Sequence, residues 1–163
     1  DMAFLGMAEC NAKGDVNVSK FKDRIAGCGG FINITQNTHK VVFCGTFTAK
    51  GLREEIRDGK LVITHEGAVQ KFIDKVGQIT FSAEYAHKHN QQVMFITERC
   101  VFVLTDKGLV LTEIAPGVDL QKDILDQMEF VPHIAENLKT MDERLFRDEP
   151  MGLAQDIFEQ QAG

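Results

Sequence analysis

Three glycines fall within four residues at Gly27-Cys28-Gly29-Gly30, with Phe31 following at once. A backbone without Cβ atoms can turn tightly, reach positive φ and offer consecutive N–H groups to a ligand, which makes an anion or oxyanion site. The spacing matches neither the GxGxxG of a dinucleotide fold nor the Gly-Lys-Ser/Thr ending of a P-loop, so no phosphate-cradle motif is defined. A plain tight turn between two elements is the competing reading. Cys28 could act as a thiol nucleophile with His39 as its base, or could simply be a small residue between glycines. Lys20, Lys22 and Arg24 precede the loop with only Asp23 opposing them, as a cation cluster or a solvated face. His87 and His89, two residues apart, would point to different sides of a helix, so no metal site is expected there. Glu98, Arg99 and Glu113 read as structural charges rather than acid–base groups.

The rest of the composition narrows the classes. The chain has 163 residues, a formal charge of −6 and 44% hydrophobic residues, enough for one domain with a real core. That charge leaves no basic face able to neutralise a row of phosphates, so nucleic acid is not an expected partner. No apolar run approaches the roughly 20 residues of a bilayer span, and the N-terminus lacks the basic start and apolar core of a signal peptide, so a cytoplasmic protein without membrane contact is expected. Cys10, Cys28, Cys44 and Cys100 contain no CxxC pair, which favours reduced thiols over disulfides or zinc. Cys44 and Cys100 lie in apolar runs and are expected in the core.

The elements that must position the loop can be read from periodicity. Residues 2–9 and 15–19 read as a hairpin whose turn uses Gly14 for positive φ, and a short polar segment comes after the glycine loop. Residues 40–45 (KVVFCG) and 93–97 (VMFIT) read as strands buried on both faces. Leu61–Thr64 and Gln78–Phe81 are shorter strand candidates, and Ser82 is placed to cap a helix running to Asn90. Residues 101–105 and 109–114 form the clearest hairpin, around Asp106-Lys107-Gly108. Asp119 opens a helix with Leu120, Ile124, Leu125 and Met128 on one face. The expected class is α/β, a mixed sheet with flanking helices, as one domain over 1–133 with 134–163 as its C-terminal tail.

Two stretches carry a resemblance to a known family. "SKFKDRIAGCGGFINITQNTHKVVFCGTF", from Ser19 to Phe47, resembles the GxGGF segment of the class I coenzyme A transferases, and "ITERCVFVLTDKGLVLTEIAPGVDLQKDILDQMEFVP", from Ile96, resembles their closing hairpin and helix. Single-chain enzymes of the acetate or propionate type are most similar. The resemblance implies an open α/β domain and a ping-pong transfer between short carboxylic acids, with coenzyme A as substrate and no permanently bound cofactor. In that transfer a glutamate attacks the acyl-CoA, an acyl-glutamyl anhydride forms, and CoA returns to give a glutamyl-CoA thioester. It places Gly27, Cys28, Gly29, Gly30 and Phe31 along the acyl-CoA site as oxyanion donors, suggests Lys20, Lys22 and Arg24 as contacts to CoA phosphates, and implies a homo-oligomer. The family's nucleophile sits in a Glu-x-Gly setting upstream of the loop, and no Glu-x-Gly occurs here. The chain also begins Asp1-Met2-Ala3. A C-terminal portion of a longer enzyme is therefore expected, with no catalytic residue in this chain, no transfer by it alone, and apolar surface left where the rest would pack. A non-catalytic CoA-binding or assembly module is the alternative.

Overall fold

The computed structural model describes residues 1–162, with side chains through residue 159. Its centre is a six-stranded sheet whose spatial order is that of the sequence: β1 (Met2–Gly6), β2 (Lys40–Cys44), β3 (Gln92–Ile96), β4 (Cys100–Thr105), β5 (Gly108–Ile114) and β6 (His133–Thr140). β1, β2 and β3 are parallel, with Phe4, Val42 and Met94 in register; β3–β4 and β4–β5 are antiparallel, and β5–β6 is parallel again. The class is therefore α/β with a mixed sheet, as expected.

The apolar run of β2 forms the middle of the core because Val41, Val42 and Phe43 are all buried there. On one face the Phe43 ring lies 5.8 Å from Phe31 and 5.1 Å from both Phe81 and Phe95, and a second group joins Phe72 to Phe47 at 4.7 Å and to Phe102 at 5.1 Å. The opposite face is covered by Leu61, Val101, Met141 and Phe146. Leu61 arrives on a separate hairpin, Arg53–Arg57 with Lys60–His65, whose Asp58-Gly59 turn has both φ values positive, the conformation that suits a two-residue hairpin loop. The β4–β5 hairpin turns where expected, at Gly108 with φ +91°. Ser82 caps α2 (Ala83–Lys88) by accepting the Tyr85 N–H.

Elsewhere the structure departs from the local reading. Met2–Gly6 is not the arm of a hairpin: only Glu9–Cys10 pairs with Val16–Asn17, around Gly14 at φ +93°. Asn17 is taken up locally, bonding Glu9 and the Lys20 carbonyl, both at 2.6 Å, so the apolar run of β1 finds its longer partner in buried β2. The polar segment after the glycine loop is a helix, α1 (Phe31–Asn37), pinned by the buried Phe31 and Thr35. Gln78–Phe81 forms one bridge, Phe81 to Val16, rather than a strand, because it serves to seat the Phe81 ring. Asp119 does cap, accepting from the Lys122 N–H at 2.7 Å, but it opens a π turn (Leu120–Ile124) and then a 3-10 turn (Leu125–Gln127), not a regular helix. The Asp123 carbonyl is turned to Arg99 instead of along the helix axis. From His133 the apparent tail supplies β6, an edge strand and so largely polar, before α3 (Leu153–Ala162). Cys44, expected in the core, is exposed at the end of β2, while Cys10 and Cys100 are buried.

Candidate functional site

β1, β2 and β3 run the same way, so Gly6, Cys44 and Ile96 mark one edge of the sheet, the edge at which open α/β sheets take ligands. The chain passes through the glycine loop, along α1 and into the start of β2, so α1 runs opposite to the strands. Its far end is tied to the start of β3 by Gln91, which donates to the Thr35 and Thr38 carbonyls at 2.7 and 2.6 Å. Its first residue, Phe31, stacks at the level of Phe43. The glycine loop therefore lies at the C-terminal edge of the parallel strands.

There the loop is open. Gly27 and Gly29 have φ +76° and +52°, and a Cβ built on either would meet nothing within 4 Å. Gly30 has an ordinary φ of −82°, and its Cβ would find only Ile34 Cδ1 at 3.5 Å. The first two are glycines because of their backbone conformation; nothing in this chain demands glycine at the third. Phe31 N–H and Ile34 N–H donate to the carbonyls of Cys28 and Gly30, but none of the N–H groups of Gly27, Cys28, Gly29 and Gly30 donates to a backbone carbonyl among the described residues. Cys28 is half-buried, and His39 stands at the start of β2, beyond the far end of α1, so the thiol and imidazole are not brought together.

Lys20, Lys22 and Arg24 lie on a small hairpin, Lys20–Phe21 with Arg24–Ile25, with Lys22 at its turn. All three are exposed and none is in an ion pair among the described residues. The hairpin leads straight into the loop, Ala26 N–H closing on the Ser19 carbonyl at 2.8 Å.

A second polar cluster sits beside the same edge and is closed. The Arg99 side chain is fully buried; it donates to Glu66 from both terminal nitrogens at 2.8 and 3.1 Å, to Glu98 from Nε at 2.6 Å and to the Asp123 carbonyl at 2.8 Å, with its guanidinium 4.9 Å from the Phe47 ring centre. Glu98 also accepts the Phe47 N–H at 2.8 Å, while Glu66 accepts from the Thr48 hydroxyl and the Gly67 N–H. Burial alone would raise the Glu66 carboxyl pKa; the Arg99 and Thr48 bonds outweigh it and hold the group below its ordinary value. The adjacent Glu98 and Arg99 are thus the ion pair expected from sequence, while Glu66 was missed as its second carboxylate. A second buried cation was also missed. Lys71, 7% exposed, donates to the Thr46 carbonyl at 2.7 Å. Its setting among apolar residues in VQKFI was the one available signal.

These features make the chain an α/β domain whose parallel-stranded edge bears an open glycine loop and three exposed cations beside it. By sequence and fold the 163 residues correspond to part of a class I coenzyme A transferase, since they are 54% identical over 152 residues to acetate CoA-transferase YdiF of Escherichia coli (strain K12), covering 93% of this chain. Identity to the caffeate CoA-transferase of Acetobacterium woodii is 52% over 158 residues, 94% of this chain. The crystal structure of acyl-CoA transferase YdiF from Escherichia coli O157:H7 superposes with a TM-score of 0.91 over 93% of this chain and 30% of that one. Glutaconate coenzyme A-transferase of Acidaminococcus fermentans shares the fold at a TM-score of 0.62 and 14% identity over 98% of this chain and 57% of that one. No family model matches. The chain spans about 30% of the length of the curated relatives it matches.

Proposed function

We propose that this chain works as the C-terminal portion of an acyl-CoA:carboxylate CoA-transferase that moves CoA between short-chain acids, with the nucleophilic glutamate supplied by polypeptide outside these residues. In the first half-reaction that carboxylate attacks the thioester carbonyl, a tetrahedral oxyanion forms, and CoA leaves as thiolate, giving an acyl-glutamyl anhydride. The thiolate then attacks the glutamyl carbonyl and expels the first acid. The resulting glutamyl-CoA thioester is resolved by the second acid through the same steps reversed. Each intermediate carries an oxyanion, and the role of Gly27, Cys28, Gly29, Gly30 and Phe31 is to line the acyl-CoA site, where the amide N–H groups of residues 27–30 are presented to that oxyanion and the three glycines, having no side chain, let the thioester lie against the backbone. Lys20, Lys22 and Arg24 meet CoA phosphates. On this reading acyl-CoA and short carboxylic acids are the partners, no cofactor stays bound, and the enzyme is a homo-oligomer of the cytoplasm.

The observation that carries the reading is the 54% identity, at a TM-score of 0.91, to an acyl-CoA transferase also solved as a thioester complex with CoA. The absence of Glu-x-Gly favours the second reading, a CoA-binding or assembly module without catalysis. One experiment separates them. The protein purified from its native host is incubated with acetyl-CoA and labelled propionate, and borohydride is added before or after acyl-CoA. Label entering propionyl-CoA, with borohydride inactivating only after acyl-CoA, is the expected result. CoA binding without label transfer would leave the module.

A further inference from the structure

Lysine is rarely buried without a partner for its charge. Lys71 is 7% exposed, yet its ammonium, with three N–H donors, makes one hydrogen bond among the described residues, to the Thr46 carbonyl. The carboxylate that influences it most, Glu98, is already taken by Arg99 Nε at 2.6 Å and the Phe47 N–H at 2.8 Å. Burial pulls the ammonium pKa below its ordinary value and Glu98 opposes that pull.

The position of Nζ is specific. It lies 3.0 Å from where a Cβ on Gly45 would stand, a point itself 3.7 Å from the Met7 carbonyl. Met7 and Gly45 come directly after the last residues of β1 and β2, so the ammonium is held at the C-terminal edge of the parallel strands. By strand alternation Gly45 faces the same side as Phe43, the side on which Phe31 and the glycine loop lie. Gly45 is a glycine where any side chain would press on Nζ. Two unused donors and a cleared neighbour, on the same edge and face as the loop, make a small receptor for two oxygens.

We propose that Lys71 binds the carboxylate of the acid that exchanges CoA, with Gly45 keeping the space open. A carboxylate offers two oxygens in a small volume and can meet both free N–H groups, whereas the bulkier CoA phosphates suit the exposed Lys20, Lys22 and Arg24. Only the identity of the anion as a CoA acceptor rests on the transferase reading; the receptor stands on the geometry.

Acetate is the probe, and the native protein carries the variants Lys71→Met and Gly45→Ala. Titration followed by the line broadening of 13C-acetate is expected to show saturable binding in the wild type, weakened about 10- to 100-fold in both variants, the span of a lost charge-assisted hydrogen bond. In transfer assays kcat/KM for the acceptor acid falls by the same factor, and kcat/KM for acetyl-CoA falls with it because the donor acid leaves by the same steps reversed, while the affinity for free CoA changes less than about threefold. Gly45→Ala keeps the test alive if Lys71→Met fails to fold. Equal acetate binding in wild type and variants, no acetate binding to the wild type, or a loss of CoA affinity as large as the loss for acetate overturns the proposal. Lys71-dependent acetate binding in a protein that transfers no CoA overturns the transferase reading and leaves the receptor.

Discussion

The glycine loop and the Arg99 cluster stand at one end of the same sheet and are built on opposite plans. In the cluster every donor and acceptor meets a partner from this chain: Arg99 has two carboxylates and a carbonyl, and Gly67 lies so close to its neighbours that a Cβ there would stand 2.6 Å from the Ala49 carbonyl. In the loop the amides of residues 27–30 have no backbone partner among the described residues, and a Cβ on Gly27 or Gly29 would meet empty space. The first region spends its polar groups on holding 46–48, 66–67, 98–99 and 119–124 together. The second leaves its amides without a backbone partner among the described residues. Both are glycine-bearing and charged in sequence, and only what surrounds each backbone tells the closed site from the open one.

Removing the centre of the closed cluster should give the largest effect. Arg99→Leu strips two partly buried carboxylates of their cation and leaves the Asp123 carbonyl without its donor, so a loss of about 3–5 kcal/mol is expected in urea unfolding. A loss below about 1 kcal/mol would mean that Glu66 and Glu98 reach water on their own and that the cluster is no keystone. Gly67→Ala comes next. The added methyl would overlap Thr48 Oγ1 and the Ala49 backbone, and about 1–3 kcal/mol is expected from overpacking, measured the same way.

The cluster should also respond to acid. The Glu66 pKa is lower in the folded chain than its ordinary value of 4.5, so the ionised group contributes stability that is fully present above that value and is lost as pH falls through the folded pKa. The stability difference between wild type and Glu66→Gln should therefore be constant from pH 7 to about 5 and shrink below about 4.5. A difference that is flat or grows toward acid would contradict the ion pair.

Sequence patterning revealed the strands because it samples burial directly: the runs of β2 and β3 and the β4–β5 hairpin are continuous or alternating apolar stretches with turn residues at their ends. It failed where a short element is held by a distant partner. α1 has two isoleucines and no side-chain cap, and owes its place to Phe31 against Phe43 and to Gln91 at its far end. β6 reads as polar because it is an edge. Asp58-Gly59 was a legible turn signal that the short strand reading of Leu61–Thr64 passed over. The loop was legible as glycines; its openness was not, because empty space leaves no trace in residue types. Glu66 and Lys71 lie 33 and 28 residues before Arg99 and join its surroundings only through the fold, so no local motif could name them.

The smallest effect on the fold is the sharpest test of the loop. At Gly30 φ is −82° and the nearest atom to an added Cβ is a flexible Ile34 methyl at 3.5 Å. Gly30→Ala loses a little as a helix N-cap and gains a comparable amount by restricting the unfolded chain, so stability should change by less than about 0.5 kcal/mol. Gly29→Ala, at φ +52°, should cost about 1 kcal/mol from backbone strain alone. If the loop is only a turn, activity tracks this stability order, and Gly30→Ala behaves as wild type. If the thioester lies against the loop, the order reverses: the methyl on Gly30 enters the space the substrate needs, and kcat should fall about 100- to 1,000-fold, as when one oxyanion donor is lost, in a protein that melts at the wild-type temperature. A residue with no reason inside its own chain to be glycine then has its reason in the molecule that the chain handles.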